Sequence, residues 1–354
     1  MPPLNFSPET DISDLSGKVI FITGGTGGLG AESVIQLARK HPRAIYFSGR
    51  NSKNAEGVIE KVKASTPDAP PLHFVQCDLA SLQSVAAAAQ QFLDQSDRLD
   101  VLMCNAGIMA VPPGLTADGY EVQFGTNHVG HALLIKKLLP LLVKTSQQPE
   151  ADVRIVILTS LGHRMHPSGG IAFDKLRTVQ DIAFFGPFIR YGQSKLANLL
   201  YARELARRYP QITSLAIHPG VVSTGLTGES SFINKAIIQA TARWVMVPAE
   251  EGAHNQLWAA CGEVPKASNG QMYEPVGKLS TSLDKTAKDD KLAERLFQYG
   301  GTKRKLVYNN DSQLEAQFWA ESTGTSGIYS LVWNSDGVGS SDDSWPVVIK
   351  GVES

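Results

Sequence analysis

Runs of consecutive apolar residues, many of them β-branched, alternate with stretches of helical spacing from residue 18 to about residue 275. Lys18–Thr23 (KVIFIT), Ala44–Ser48 (AIYFS), Leu72–Gln76 (LHFVQ), Leu99–Cys104 (LDVLMC), Arg154–Thr159 (RIVILT) and Ser214–Ile217 read as strands. Between them Ala31–Lys40, Ala55–Ala64, Leu82–Leu93, a long segment from Gly119 to Lys144, and Tyr191–Arg207 read as helices. Strands without polar alternation suit a sheet covered on both faces, and helices between strands make βαβ units. The pattern predicts an α/β fold: a doubly wound parallel sheet (Rossmann fold) in a single domain with a small substrate lid.

Residues 1–15 read as an N-terminal extension, 16–298 as the domain and 299–354 as a C-terminal extension. Lys288–Phe297 (KDDKLAERLF) still has amphipathic spacing. Beyond about residue 300 the chain is rich in Gly, Ser, Asn and Asp with no sustained period, and reads as poorly ordered.

Composition narrows the function classes. Apolar residues make up 42% and charged residues 19%, the balance of an ordinary globular protein. Lys and Arg number 33 against 34 Asp and Glu, so nothing favours nucleic acid or an anionic membrane surface as partner. Three cysteines without CxxC or Cys/His spacing argue against a disulfide framework and a zinc site. The pairs His128/His131 and His163/His166 have no acidic or Cys partner at ligand spacing, and read as packing or surface residues; no metal is expected. No apolar run is long enough to span a bilayer, and no basic-then-apolar leader opens the chain. The expectation is a soluble, reduced, cytoplasmic enzyme.

The first strand runs into Thr23-Gly24-Gly25-Thr26-Gly27-Gly28-Leu29-Gly30, and a helix follows. Glycines at such a crossover let backbone approach a pyrophosphate held on helix N-terminal amides. The second strand ends Ser48-Gly49-Arg50-Asn51, without Asp or Glu. A ribose 2′-hydroxyl usually takes an acidic residue there, whereas a 2′-phosphate takes a guanidinium, so NADP is favoured over NAD. Tyr191 and Lys195 lie four apart on one helix face, after a strand that leads into Ser160. A second YxxxK, Tyr299 to Lys303, contains Gly-Gly and follows no such strand, so the first is chosen. A phenol with an ammonium beside it is a suitable proton donor to a carbonyl oxygen.

These residues resemble the short-chain dehydrogenase/reductases over roughly residues 15–298. The turn is spaced TGxxxGxG, and Gly24, Thr26, Gly28, Leu29 and Gly30 would hold the dinucleotide. The resemblance implies that Asp78-Leu79 contacts the adenine and that Asn105-Ala106-Gly107 supports the sheet at the cofactor. It implies that Val222 and Thr224, after His218-Pro219-Gly220, meet the carboxamide. Ser160, Tyr191, Lys195 and Asn127 resemble the catalytic set, with Tyr191 and Lys195 also on the cofactor side. Ser160 would hold the substrate oxygen, Lys195 would lower the Tyr191 pKa, and Asn127 would position a water of the proton relay.

The 31 positions from Ser160 to Tyr191 exceed what many family members have. The stretch His163–Arg190, with Phe173, Phe184, Phe185 and Phe188, is similar to the retinol-dehydrogenase-like and WW-domain-oxidoreductase-like branch seen in fungal biosynthetic pathways. With Thr224–Ile238 it reads as an apolar substrate lid. The resemblance implies an NADP-dependent oxidoreductase acting on an alcohol, ketone or aldehyde of an apolar small molecule, in secondary metabolism, with a homodimer or homotetramer as the family habit. A catalytically silent NADP-binding regulatory protein is the alternative, although it would have no need of all four catalytic types. An epimerase or dehydratase of the extended branch would space its first turn TGxxGxxG.

Overall fold

In the computed structural model the apolar runs lie side by side; it describes residues 4–182, 185–222 and 246–299, with short strands at 318–322, 329–333 and 345–346. The strands are β1 (Val19–Thr23), β2 (Ala44–Gly49), β3 (Leu72–Gln76), β4 (Val101–Cys104), β5 (Arg154–Leu158), β6 (Thr213–Ile217), β7 (Met272–Glu274) and β8 (Lys278–Leu279). They form one sheet in the order β3-β2-β1-β4-β5-β6-β7-β8, parallel throughout except for β8 against β7. The strand order reverses between β1 and β4, and in open α/β sheets a crevice for ligands forms outside the carboxyl ends at such a point.

Every residue of β1, β4 and β5 is buried, because successive side chains enter two cores. Phe21, Tyr46, Leu102 and Ile155 face one side, against α3 (Leu82–Gln95), α4 (Gly130–Ser146) and α5 (Gly186–Arg208). Ile20, Ile22, Phe47, Val156 and Ile217 face the other, against α1 (Gly28–Ala38), α2 (Ser52–Ser65) and α6 (His254–Cys261). Each such fully buried side chain stabilises the fold by about 1.5–3 kcal/mol. Asp100, fully buried, pins the start of β1 by accepting from Val19 N at 2.9 Å, and Arg98 neutralises it at 2.7 Å.

Helix starts follow their caps. Asn51 Oδ1 accepts from Lys53 N and Asn54 N, so α2 begins earlier than its apolar spacing suggests. The segment predicted as one helix from Gly119 is different: Gly119 sits in a turn at φ +75°, and helix begins at Val122. It passes through a π-helical turn at Gly125–Val129 and continues as α4, with Pro140 inside. The apolar pattern predicts no element at α6, β7 or β8. It predicts only an N-terminal extension where Ile12 and Leu15 in fact enter the core.

The helix predicted at 288–297 is α7 (Asp290–Tyr299), whose Asp289 Oδ1 accepts from Lys291 N and Leu292 N. It lies on α5: Phe297 stacks on Tyr201 at 5.2 Å between centroids, and Asp290 pairs with Arg203 at 2.7 Å. The chain divides into two compact units, Met1–Leu306 and Val307–Ser354. In the second, Phe318–Ser322 pairs antiparallel with Tyr329–Trp333 and with Trp345–Pro346. Among the described residues no helix is long and apolar enough to cross a membrane.

Candidate active site

The glycine turn between β1 and α1 is built for close backbone approach. Gly24, at φ +67°, lies so near the β4 exit that a Cβ on it would stand 3.0 Å from Ala106 Cα. A Cβ on Gly30 would meet Gly24 O at 2.2 Å, which no side chain tolerates. The first turn of α1 therefore seats directly on the loop, with its free amides at the crevice. Gly28 and Leu29 open that helix.

Beside the turn, at the ends of β2 and β3, lies a polar cleft of about 560 Å³ lined by Thr26, Arg50, Asn51, Ser52, Asn54 and Gln76. Among the described residues its lining carries a guanidinium and no carboxylate. Asp78 and Leu79 follow β3; Asp78 Oδ1 accepts from Ala80 N at 3.0 Å, and Leu79 is buried against Gly130. The glycine cradle and this cleft fit a dinucleotide.

Thr23, the last residue of β1, ties the turn to β4. Its Oγ1 accepts from Asn105 N at 3.0 Å and Ala106 N at 3.1 Å, and its carbonyl accepts from Asn105 Nδ2 at 2.9 Å. His131 continues the chain of bonds, with Nδ1 2.9 Å from Asn127 O and Nε2 2.8 Å from Thr23 Oγ1. Burial lowers its pKa to about 4. The ring is therefore neutral: Nδ1–H donates to the Asn127 carbonyl and Nε2 accepts from the Thr23 hydroxyl. Gln256 closes the opposite side, Nε2 donating to Ser33 Oγ at 2.7 Å and Asn105 Oδ1 at 3.1 Å. The sequence predicts a packing or surface residue at His131, and Gln256 gives no sequence signal at all.

The candidate catalytic side chains converge at the ends of β4 and β5. Asn127 sits in the π turn and is clamped: Oδ1 accepts from Ile108 N at 2.8 Å, while Nδ2 donates to Ile108 O and Ser194 Oγ, both at 2.9 Å. A Cβ on Gly107 would lie 3.2 Å from Asn127 Oδ1 and 3.4 Å from Lys195 Nζ, so these groups crowd one point. Lys195 Nζ donates to Leu158 O at 3.1 Å and stands 5.6 Å from the centroid of the Tyr191 ring. Ser160 Oγ accepts from Gly162 N at 3.1 Å, beside the Tyr191 ring. A Cβ on Gly162 would meet Tyr191 Cε1 at 3.2 Å and Ser160 Oγ at 3.3 Å.

Burial governs the electrostatics. It pushes the Tyr191 phenol up to about 12, opposed by the Ser160 hydrogen bond. The sequence had suggested Lys195 as the residue opposing that rise. Burial also brings Lys195 down to about 8, because its ammonium is removed from water with no carboxylate beside it. Val222 bridges to Val247, whereas Thr224, Phe184 and the Thr224–Ile238 part of the expected lid lie outside the described residues. No group of three or more His, Cys, Asp or Glu among the described residues could hold a metal.

Comparison with known proteins agrees with this geometry. Residues 18–173 match the family model described as short chain dehydrogenase. A short-chain dehydrogenase/reductase of Aspergillus calidoustus is 36% identical over 301 residues, which is 81% of this chain and 94% of that protein. Retinol dehydrogenase 12 of Mus musculus is 33% identical over 285 residues, 80% of this chain and 85% of its own. A crystal structure of a Mycobacterium paratuberculosis protein superposes with a TM-score of 0.63 at 29% identity, covering 85% of this chain and 99% of that one.

Proposed function

Because the chain belongs to the short-chain dehydrogenase/reductase family and is an NAD(P)-dependent oxidoreductase, we propose that it interconverts an alcohol with a ketone or aldehyde on an apolar small molecule, using NADP. The observation that carries this reading is the convergence of Ser160, Tyr191, Lys195 and Asn127 beside the glycine cradle. Arg50 in the cleft at the end of β2, with no carboxylate in that lining, supports NADP over NAD.

Gly24, Thr26, Gly28, Leu29 and Gly30 would hold the pyrophosphate, Arg50 the 2′-phosphate, and Asp78 with Leu79 the adenine. Asn105, Ala106, Gly107, Val222 and Thr224 would lie along the nicotinamide half, with Tyr191 and Lys195. The bound reduced dinucleotide supplies the hydride. Ser160 holds the carbonyl oxygen through its hydroxyl and stabilises charge as it develops there. Tyr191, kept protonated by burial, gives its phenolic proton to that oxygen. The Lys195 ammonium then favours the phenolate that remains. Asn127, locked on Ile108 and Ser194, would position a water of the relay that returns the proton.

A step of secondary-metabolite biosynthesis is proposed from the resemblance of the His163–Arg190 stretch to the branch seen in fungal pathways. Three free cysteines, none fully exposed, are in keeping with a reducing cytoplasm. The test follows absorbance of NADPH and NADH with a panel of apolar ketones and aldehydes, Tyr191→Phe beside the wild type. Oxidation of NADPH in the wild type alone is the expected result. Equal NADPH binding by both proteins, with turnover in neither, would support the regulatory reading instead.

A further inference from the structure

Arg190 immediately precedes Tyr191, yet its side chain is fully buried. Its Nε lies 3.1 Å from Glu121 Oε1, and Glu121 is equally buried. The other guanidinium nitrogens donate to backbone carbonyls: Nη1 to Gln180 at 3.1 Å and Nη2 to Val111 at 2.8 Å. The second Glu121 oxygen accepts from Phe124 N at 2.7 Å, at the start of the helix that leads into the π turn.

Those contacts join three segments distant in sequence. One is the stretch after β4, from Ile108 to Phe124, which Asn127 clamps at Ile108. Another is the insertion between Ser160 and Tyr191. The last is the opening of α5, which carries Tyr191. Two buried glutamines reinforce the junction. Gln123 accepts from Ala110 N at 2.9 Å and donates to Pro187 O at 2.8 Å. Gln193 accepts from Ala172 N at 2.8 Å and donates to Gln180 Oε1 at 3.2 Å.

The same insertion walls the reacting groups. Gly162, just ahead of it, is pressed on the Tyr191 ring, and within it Met165 C would stand 2.7 Å from a Cβ on Gly192. Met165 and Phe185 leave apolar surface exposed on it. Packing alone does not call for a buried ion pair, since an apolar pair of like volume is often as stable. What charge adds is direction: a planar fork aimed at two carbonyls, with a carboxylate 3.1 Å from its Nε, fixes where all three segments sit.

We propose that Glu121 and Arg190 are positioning residues that set the insertion over the carbonyl site and thereby the size of substrate the site accepts. The proposal rests on the carbonyl-reductase reading given above. They touch neither substrate nor dinucleotide, and act through the insertion and the start of α5.

The test replaces both with apolar residues of similar volume, Glu121→Leu with Arg190→Met, so that no lone charge is buried. Single Arg190→Lys and Glu121→Gln variants run beside it. NADPH affinity is read by nicotinamide fluorescence. Values of kcat and KM are read with propanal and with a bulky apolar polyene aldehyde. The double variant is expected to melt cooperatively and bind NADPH as the wild type does. Its preference between the two aldehydes should shift on the order of tenfold, mainly through KM of the bulky one. Glu121→Gln, which keeps an acceptor for Phe124 N, should retain more of the preference than Arg190→Lys.

A folded double variant with unchanged preference overturns the proposal, as does equal loss on both aldehydes. A double variant that does not fold, with Arg190→Lys and Glu121→Gln folded and their preference unchanged, overturns it too. A wild type that binds NADPH and reduces neither aldehyde overturns the carbonyl reading, and the proposal with it.

Discussion

Lys195 Nζ donates to the carbonyl oxygen of Leu158 at 3.1 Å, so the buried ammonium is held by the last residue of β5, two positions before Ser160. Asn198 Nδ2 donates to that same carbonyl at 3.0 Å. Strand and helix thus fix each other where the proton chemistry is proposed.

Lys195 is costly to the fold. With its pKa at about 8 against 10.5 in water, the folded chain binds the lysine proton less tightly than the unfolded chain does. Below pH 8 the penalty of burying the ammonium is in full force, on the order of 3 kcal/mol. As pH rises from 8 toward 10.5 the unfolded chain keeps a proton that the folded one sheds, and this contribution to stability climbs. Lys195→Met is therefore expected to abolish turnover and yet raise Tm at pH 7 by a few degrees, with Asn198 still serving Leu158 O. Calorimetry beside the absorbance assay checks both halves; a Tm that falls would refute the account.

Acid should loosen the fold through its histidines. His128, His131 and His218 are each held at about 4 by burial. Above pH 6.5 they are neutral in both states; between 6.5 and 4 the unfolded chain gains protons that the folded one does not. Stability should thus fall steadily as pH drops through that window. Denaturant melts at half-unit steps measure the slope, and His128→Gln, which leaves an amide for Asn198, should flatten it by about one proton.

Arg50→Asp tests the cleft at the end of β2. Replacing the guanidinium by a carboxylate should raise KM for NADPH on the order of tenfold or more and spare NADH, because only the 2′-phosphate loses its partner. Steady-state kinetics with both dinucleotides would decide it, and an equal loss on the two would assign Arg50 elsewhere.

Gly30→Ala should act differently. Its Cβ would collide with Gly24 O at 2.2 Å, so the turn must open. Binding of NADPH and NADH should be lost together, since the cradle serves the pyrophosphate common to both. Fluorescence titration gives the answer, and a variant that binds either one normally contradicts the geometry.

Much of this was legible in the residues. β1, β4 and β5 could be read because both their faces are buried, which leaves uninterrupted apolar runs. The Ser160, Tyr191 and Lys195 set could be read because its spacing and the strand before it coincide. β7 and β8 were too short to register a pattern, and α6 is interrupted by Asn255 and Gln256, polar residues buried for their hydrogen bonds. Gly119 was drawn into a helix because its neighbours have helical spacing, although the Asp118-Gly119 pair marks a turn. Arg190 escaped notice because a cation in a helix is ordinarily at the surface, and its partner Glu121 lies 69 positions away.

The π turn at Gly125–Val129 means that this helix holds one residue more than regular winding would use. Deleting any residue of the turn would let the helix rewind into an ordinary and locally sturdier form. The flanking segments would keep their setting, while the residues within the turn, Asn127 among them, would take new directions. Asn127 would then lose its place between Ile108 and Ser194. Length in this segment is consequently a functional quantity: a single-residue gap here should yield a well-folded chain whose reacting groups no longer meet.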